Sequence, residues 1–105
     1  MLKLTVYIPD FALEDVKSAL FDAGAGAYDN YDRCCWVVRG EGQFRPLKGS
    51  DPAIGKVGKS ERVVEYKLEI LVPDNLVIEV EKAIKRAHPY EVPAYDFVKL
   101  HQPEP

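Results

Sequence analysis

The chain has 105 residues, of which 47% are hydrophobic and 30% charged, and its formal net charge is −3. This length suits one domain with one core, and the composition is that of a globular protein rather than a disordered one. The negative charge argues against nucleic-acid binding, which normally needs a basic face, and no apolar run is long enough to predict a membrane span.

The first half of the chain predicts a strand, a helix and a second strand. Residues 2–8 alternate apolar and polar side chains, the period of a strand with one buried face. Pro9 stops this strand, and Asp10 offers an N-cap for a helix whose apolar residues keep helical spacing up to Gly24. Residues 33–39 form the next predicted strand.

The second half repeats this order. Residues 62–72 alternate most clearly and predict the third strand. Pro73 and Asp74 repeat the strand-to-helix junction, and a second amphipathic helix follows. Residues 95–100 predict the last strand, before a frayed tail at 101–105. The chain therefore reads as two related halves.

The order βαββαβ predicts an α+β domain over residues 1–100. We expect a ferredoxin-like sandwich, in which a four-stranded antiparallel sheet carries two helices on one face. The other face of the sheet must be solvated, bind a ligand or be buried, and Tyr7, Tyr95 and Phe97 are candidates for a partly apolar surface there. Asp96 leaves the orientation of the last strand ambiguous. Burial against further copies of the chain is the preferred explanation.

The long connection at residues 40–60 is the first candidate site. It holds five of the seven glycines together with several cations, so backbone N–H groups and positive charges could converge on a phosphate or carboxylate. The spacing does not fit a P-loop. A hairpin connection whose glycines only serve turns is the open alternative. The candidate ligand residues of this segment are Gly40, Gly42, Phe44, Arg45, Lys48, Gly55, Lys56 and Gly58.

The turn at His88–Pro93 is the second candidate site. Its two prolines restrict the backbone and present His88, Tyr90 and Glu91 in fixed directions. His88 and Glu91 are candidate ligands of a divalent metal ion, which is the one cofactor that the sequence suggests, and Tyr90 is a candidate ligand-binding residue. The alternative is that His88 caps the last carbonyls of the preceding helix.

The only cysteines are the adjacent Cys34 and Cys35. Neighbouring residues of a strand point to opposite faces, so this pair does not predict a shared metal, and small buried thiols are the expected reading. The pair also lacks the spacing of a secreted disulfide framework, and the chain opens on a strand pattern rather than a signal peptide. A reducing cytoplasm is the expected location.

Three segments carry a family resemblance: GEGQFRP at residues 40–46, PAIGKVG at 52–58 and HPYEVP at 88–93. Together they resemble the domain inserted in many Nif-three-like proteins, the NGG-one-interacting-factor family, with a match from residue 2 to residue 100. HPYEVP also resembles the CutA divalent-ion tolerance proteins. These resemblances imply a fold related to the PII signalling proteins, trimeric assembly, and a loop after the second strand that reads small ligands. They do not extend to the dinuclear metal core of the larger proteins.

The leading hypothesis is thus a cytoplasmic regulatory module of PII or CutA type that binds a small molecule or metal ion as a homo-oligomer, most simply a trimer. A pure interaction module, in which the loop and the turn only build the oligomer, is the alternative. A small enzyme that combines His88, Tyr90 and Glu91 with a loop lysine between subunits comes last, because titratable residues are few.

Overall fold

The structure, a computed structural model, describes residues 1–101 and confirms the predicted βαββαβ order. The predicted tail lies outside these residues except for His101. The elements are β1 (Leu2–Pro9), α1 (Leu13–Asp22), β2 (Trp36–Phe44), β3 (Glu61–Val72), α2 (Val77–Ala87) and β4 (Tyr95–Lys99).

The four strands form one antiparallel sheet in the order β2-β3-β1-β4. Both helices cover the same face, because their buried residues join one core with alternate residues of β1 and β3. This is the predicted ferredoxin-like fold. Within residues 1–101 neither helix is long and apolar enough to span a membrane.

The core follows from the strand alternation. The fully buried large side chains come from β1 and β3 on one side and from the helices on the other, and each stabilises the fold by about 1.5–3 kcal/mol. They include Leu4, Val6, Ile8, Leu68 and Val72 of the strands and Val16, Leu20, Val80 and Ile84 of the helices.

The open face of the sheet differs from the expectation in one strand. Tyr7 lies there as predicted, but Tyr95 and Phe97 face the helices, since they pair with core residues of β1 and pack against the core. The Tyr95 hydroxyl donates to Glu81 of α2 at 2.7 Å. The exposed apolar residues of the open face are Tyr7 (39% exposed), Trp36 (67%), Val38 (47%) and Val98 (51%).

The two halves match closely at their strand-to-helix junctions. Pro9 and Pro73 have nearly the same backbone angles, with φ −61° and ψ 149° in one and φ −61° and ψ 146° in the other. Each proline precedes one 3-10 turn, Asp10–Ala12 or Asp74–Leu76, before the α-helix begins. The predicted N-cap at Asp10 is wrong, because this aspartate opens the 3-10 turn and makes no side-chain capping bond.

Strand β2 begins and ends later than predicted. Gly40 and Gly42 were assigned to the connection, but they pair with Glu65 and Val63 of β3, so the connection shortens to residues 45–60. Glycine usually weakens a strand and favours a turn, but β3 is long enough to pair with both glycines, and this pairing keeps them in the sheet. Cys34 and Cys35 therefore precede the strand. Cys34 is exposed rather than buried, while burial raises the pKa of the half-buried Cys35 thiol.

The ends of β2 and β3 project beyond the rest of the sheet. Pairing between β1 and β3 stops at Pro9 and Glu65, so Glu61–Val64 pairs only with Glu41–Phe44 of β2. We call residues 41–64 the arm. The arm makes the molecule elongated, with extents of 52 × 24 × 23 Å.

Candidate ligand site at the base of the arm

His88 ties the turn after α2 to strand β1. Its side chain is 6% exposed, and Nε2 lies 2.7 Å from the Tyr7 carbonyl oxygen. The Tyr90 backbone N–H donates to Nδ1 at 3.1 Å. Because Nδ1 accepts, the proton of the neutral ring lies on Nε2, which donates to Tyr7. The predicted cap on the helix carbonyls is replaced by this contact with a distant strand.

This environment favours the neutral imidazole. Burial lowers the pKa of His88, against the opposing influence of the Tyr7 carbonyl and the Glu65 carboxylate. A second proton on Nδ1 would also face the Tyr90 N–H that now donates to it. His88 therefore acts as a structural link in this geometry.

The predicted metal pair of His88 and Glu91 gains no geometric support. Both nitrogens of His88 are already hydrogen-bonded, and the Asp51 backbone N–H donates to Glu91 Oε1 at 3.2 Å. Across residues 1–101 there is no group of three or more His, Cys, Asp or Glu side chains that could hold a metal ion. Metal binding by the pair stays a prediction.

Tyr90 links the turn to the arm. Its hydroxyl donates to Glu65 Oε2 at 2.8 Å, and its ring centroid lies 5.9 Å from that of Phe44 and 4.9 Å from that of His88. Burial, and then the hydrogen bond to Glu65, raises the pKa of the Tyr90 phenol far above its ordinary value. Tyr90 thus remains a neutral hydrogen-bond donor.

Gly42 makes room for the Glu65 carboxylate. A Cβ atom at position 42 would overlap that carboxylate, which lies over the Gly42 backbone. Glycine at this point of β2 is explained by the close approach of a side chain from β3, not by a turn. Gly40 has no such neighbour, since a Cβ there would meet nothing within 4 Å.

The connection at residues 45–60 folds back toward the turn. The Gly58 N–H donates to the Pro46 carbonyl at 2.8 Å and closes the loop at its base. Gly58 has φ +84°, a left-handed conformation in which a side chain would be strained. The bond from Asp51 to Glu91 holds the loop against the turn after α2.

A cavity of about 360 Å³ lies where the arm, with its loop at residues 45–60, meets Tyr7, Glu65 and the turn after α2. It brings together four of the predicted site residues, Gly42, Phe44, Tyr90 and Glu91, from segments more than forty positions apart in sequence. Its further lining residues are Tyr7, Gln43, Pro46, Ser50, Pro52, Ala53, Ile54, Glu65, Val92 and Ala94.

The other predicted ligand residues of the 40–60 segment do not line this cavity. Arg45, Lys48 and Lys56 are exposed on the loop. Gly40, Gly55 and Gly58 also lie outside the wall. The expected convergence of cations on an anion is therefore absent from this cavity. Among residues 1–101 the carboxylates that line it are those of Glu65 and Glu91 alone, and no lysine or arginine lines it.

Sequence reasoning missed two lining residues, Tyr7 and Glu65. Both belong to regular strand patterns, in which they read as ordinary residues of the open face. Glu65 comes close to Tyr7 and Gly42 because its strand, β3, pairs with β1, which carries Tyr7, and with β2, which carries Gly42. No local sequence signal distinguishes them from their neighbours.

No protein-family model matches the chain. A Mycobacterium tuberculosis protein named GTP cyclohydrolase 1 type 2 homolog is 45% identical over 101 residues, which are 96% of this chain and 27% of the relative. A Bacillus subtilis protein of the same name is 42% identical over 100 residues, again covering 95% of this chain and 27% of the relative. The chain thus spans about a quarter of the length of these relatives.

Two solved structures have similar folds. The crystal structure of a Bacillus cereus protein related to NIF3 matches with a TM-score of 0.82 and 40% identity, over 96% of this chain and 26% of that one. CutA1 from Pyrococcus horikoshii matches with a TM-score of 0.71 and 20% identity, over 99% of this chain and 87% of that one. The first is consistent with the predicted resemblance to a domain of Nif-three-like proteins, and the second shows the shared fold.

Proposed function

We propose that this chain is a small regulatory module that binds an organic molecule in the cavity at the base of the arm and works as a homo-oligomer. The observation that carries the proposal is the cavity itself. It joins the glycine-rich segment and the His88–Pro93 turn, which the sequence marks as unusual for separate reasons. Its volume of about 360 Å³ suits a small organic ligand.

The side chains of the cavity favour binding over catalysis. His88 is engaged on both nitrogens, and Tyr90 is held as a neutral phenol by burial and by Glu65. General acid–base chemistry at neutral pH needs a group whose pKa is tuned toward that pH, whereas the pKa shifts of His88 and Tyr90 run away from it. Ligand binding needs no change in the protonation state of His88 or Tyr90.

Regulation is proposed because the chain is similar to one part of longer proteins. It spans about a quarter of relatives named GTP cyclohydrolase 1 type 2 homolog. A regulatory module of this kind transmits the binding of its ligand to a partner protein. The proposed location is the cytoplasm, where the free Cys34 and Cys35 stay reduced. GTP itself is a poor fit, because its triphosphate would meet Glu65 and Glu91 without a cation in the wall.

The open face of the sheet favours a second candidate, an oligomerisation module without a ligand. Trp36 is 67% exposed there, on the same strand as the half-exposed Val38, and Val98 is half exposed on β4 at the other edge of the sheet. Exposed apolar surface of this kind marks protein–protein contacts. Native mass spectrometry distinguishes the candidates, because the binding module is expected to be an oligomer that gains mass with ligand. An oligomer that gains none from any compound would favour the second.

The binding test is a thermal-shift screen with small organic molecules, GTP and divalent metal ions, followed by NMR on the compounds that stabilise the protein. Ala53→Trp would fill the cavity mouth, and Ala27→Trp is the matched control on an exposed turn outside the cavity. We expect binding to be lost in Ala53→Trp and kept in Ala27→Trp.

Binding that survives Ala53→Trp would place the ligand elsewhere and contradict the proposal, as would a screen in which no organic compound shifts the unfolding temperature. A shift with a divalent ion that Glu91→Gln removes would instead support the metal role predicted for His88 and Glu91.

A further inference from the structure

We infer that the ligand of this cavity is an organic cation, a protonated amine or quaternary ammonium on an aromatic or apolar body. The inference rests on the proposed function and names the class of molecule that the same site would take. It reverses the sequence-based expectation of an anion, because the predicted cations Arg45, Lys48 and Lys56 do not line the cavity, whereas Glu65 does.

The first support is the charge of the wall. Glu65 and Glu91 both line the cavity and come from different parts of the fold, one from β3 and one from the turn after α2, and no lysine or arginine lines it. Tyr90 donates to one oxygen of Glu65, and the Asp51 N–H donates to one oxygen of Glu91. Within residues 1–101 the second oxygen of each carboxylate accepts no hydrogen bond, so each can accept one from a ligand.

The second support is the aromatic character of the wall. Tyr7, Phe44 and Tyr90 all line the cavity, and the rings of Phe44 and Tyr90 are tilted by 60° with centroids 5.9 Å apart. Two ring faces set at an angle can contact one group between them. A cation over an aromatic face is attracted by the ring quadrupole, and this attraction grows when water is excluded.

The third support is the balance of polar and apolar groups. Apart from Gln43 and Ser50, the rest of the wall consists of proline, alanine, isoleucine and valine side chains, which favours an apolar body as well as a charge in the ligand. The volume of about 360 Å³ lies at the low end of small-molecule sites, which suits a single ring or a short chain. An anion of the same size would lie against two carboxylates with no compensating cation.

The test is a series of three probes that share one body and differ in charge: 2-phenylethylammonium, 2-phenylethanol and phenylacetate. Affinities are measured by titration with NMR detection of the Gly42 and Glu91 backbone amides, which report the cavity directly. We expect the ammonium to bind about tenfold or more tightly than the alcohol, and phenylacetate to bind most weakly.

Glu65→Gln and Glu91→Gln separate charge from shape, because glutamine keeps the size of the side chain and an oxygen that can accept. Each is expected to weaken the ammonium about tenfold and to leave the alcohol within about threefold. Glu41→Gln is the control, since it changes the net charge equally on an exposed arm residue outside the wall.

Equal binding of the ammonium and the alcohol, or tightest binding of phenylacetate, would overturn the cation class while the cavity remains a binding site. Equal weakening by Glu41→Gln would also overturn it, because the effect would then come from net charge. If neither these probes nor any compound of the screen perturbs the Gly42 and Glu91 amides, the proposed function itself fails.

Discussion

Replacing His88 by alanine is expected to lower the free energy of unfolding by about 3 kcal/mol, because the ring links two distant segments from a buried position. The substitution removes the hydrogen bond to the Tyr7 carbonyl and the one from the Tyr90 N–H. Each is worth about 1 kcal/mol net. The loss of a ring that is only 6% exposed adds about 1–2 kcal/mol of apolar burial. The sum is of the order found for other large-to-small changes in cores, about 2–5 kcal/mol.

The measurement is urea unfolding followed by circular dichroism at pH 7.5, at one protein concentration so that any oligomer affects all variants equally. His101→Ala is the matched control, because His101 is exposed and makes no side-chain hydrogen bond among residues 1–101. A loss at His88 below about 1 kcal/mol, or no larger than that of the control, would refute the structural role derived from its two hydrogen bonds.

Three further predictions concern His88 and two glycines of β2. Burial holds the pKa of His88 below its ordinary 6.5, so the unfolded chain takes up a proton at a higher pH than the folded protein does. The free energy of unfolding should therefore fall as the pH drops through about 6.5 and level off below the pKa of the folded protein. Urea midpoints at pH 7.5 and 5.5 measure this, and an equal drop in His88→Ala would contradict it. Gly40→Ala should stabilise β2 by about 0.5–1 kcal/mol, since nothing lies within 4 Å of its Cβ. Gly42→Ala should be less stable than Gly40→Ala by about 1–2 kcal/mol, because its Cβ displaces Glu65 from the Tyr90 hydroxyl; equal stabilities of the two variants would show that Glu65 moves aside without loss.

The sequence predicted the parts of this protein that depend on local pattern. Alternation in residues 2–8 and 62–72 identified β1, β3 and the buried face that they share, and the repeated Pro-Asp pair at residues 9–10 and 73–74 identified the two related halves. The HPYEVP turn and the glycine-rich segment at residues 40–60 are both unusual in sequence, and both contribute residues to the cavity. Each of these signals lies within about a dozen residues of chain.

The parts that the sequence did not predict depend on pairing between distant segments. The glycines of β2 are typical of turns in sequence, but they belong to the sheet because they pair with the long strand β3. The sequence leaves the orientation of β4 ambiguous, because one residue of register exchanges the two faces, and pairing with β1 turns Tyr95 and Phe97 toward the helices. The charge of the cavity was also unexpected, since Glu65 enters its wall through pairing alone.

The sequence by itself therefore determined the order of the elements, the core and the fold class, because hydrophobic period and helix or strand breakers act over a few neighbouring residues. Only the tertiary structure decided the arm, the hydrogen bonds of His88 and the acidic, aromatic lining of the cavity. These depend on strand register and on contacts between residues such as Tyr7 and His88, which are 81 positions apart. No local pattern of the sequence predicts a contact across such a separation.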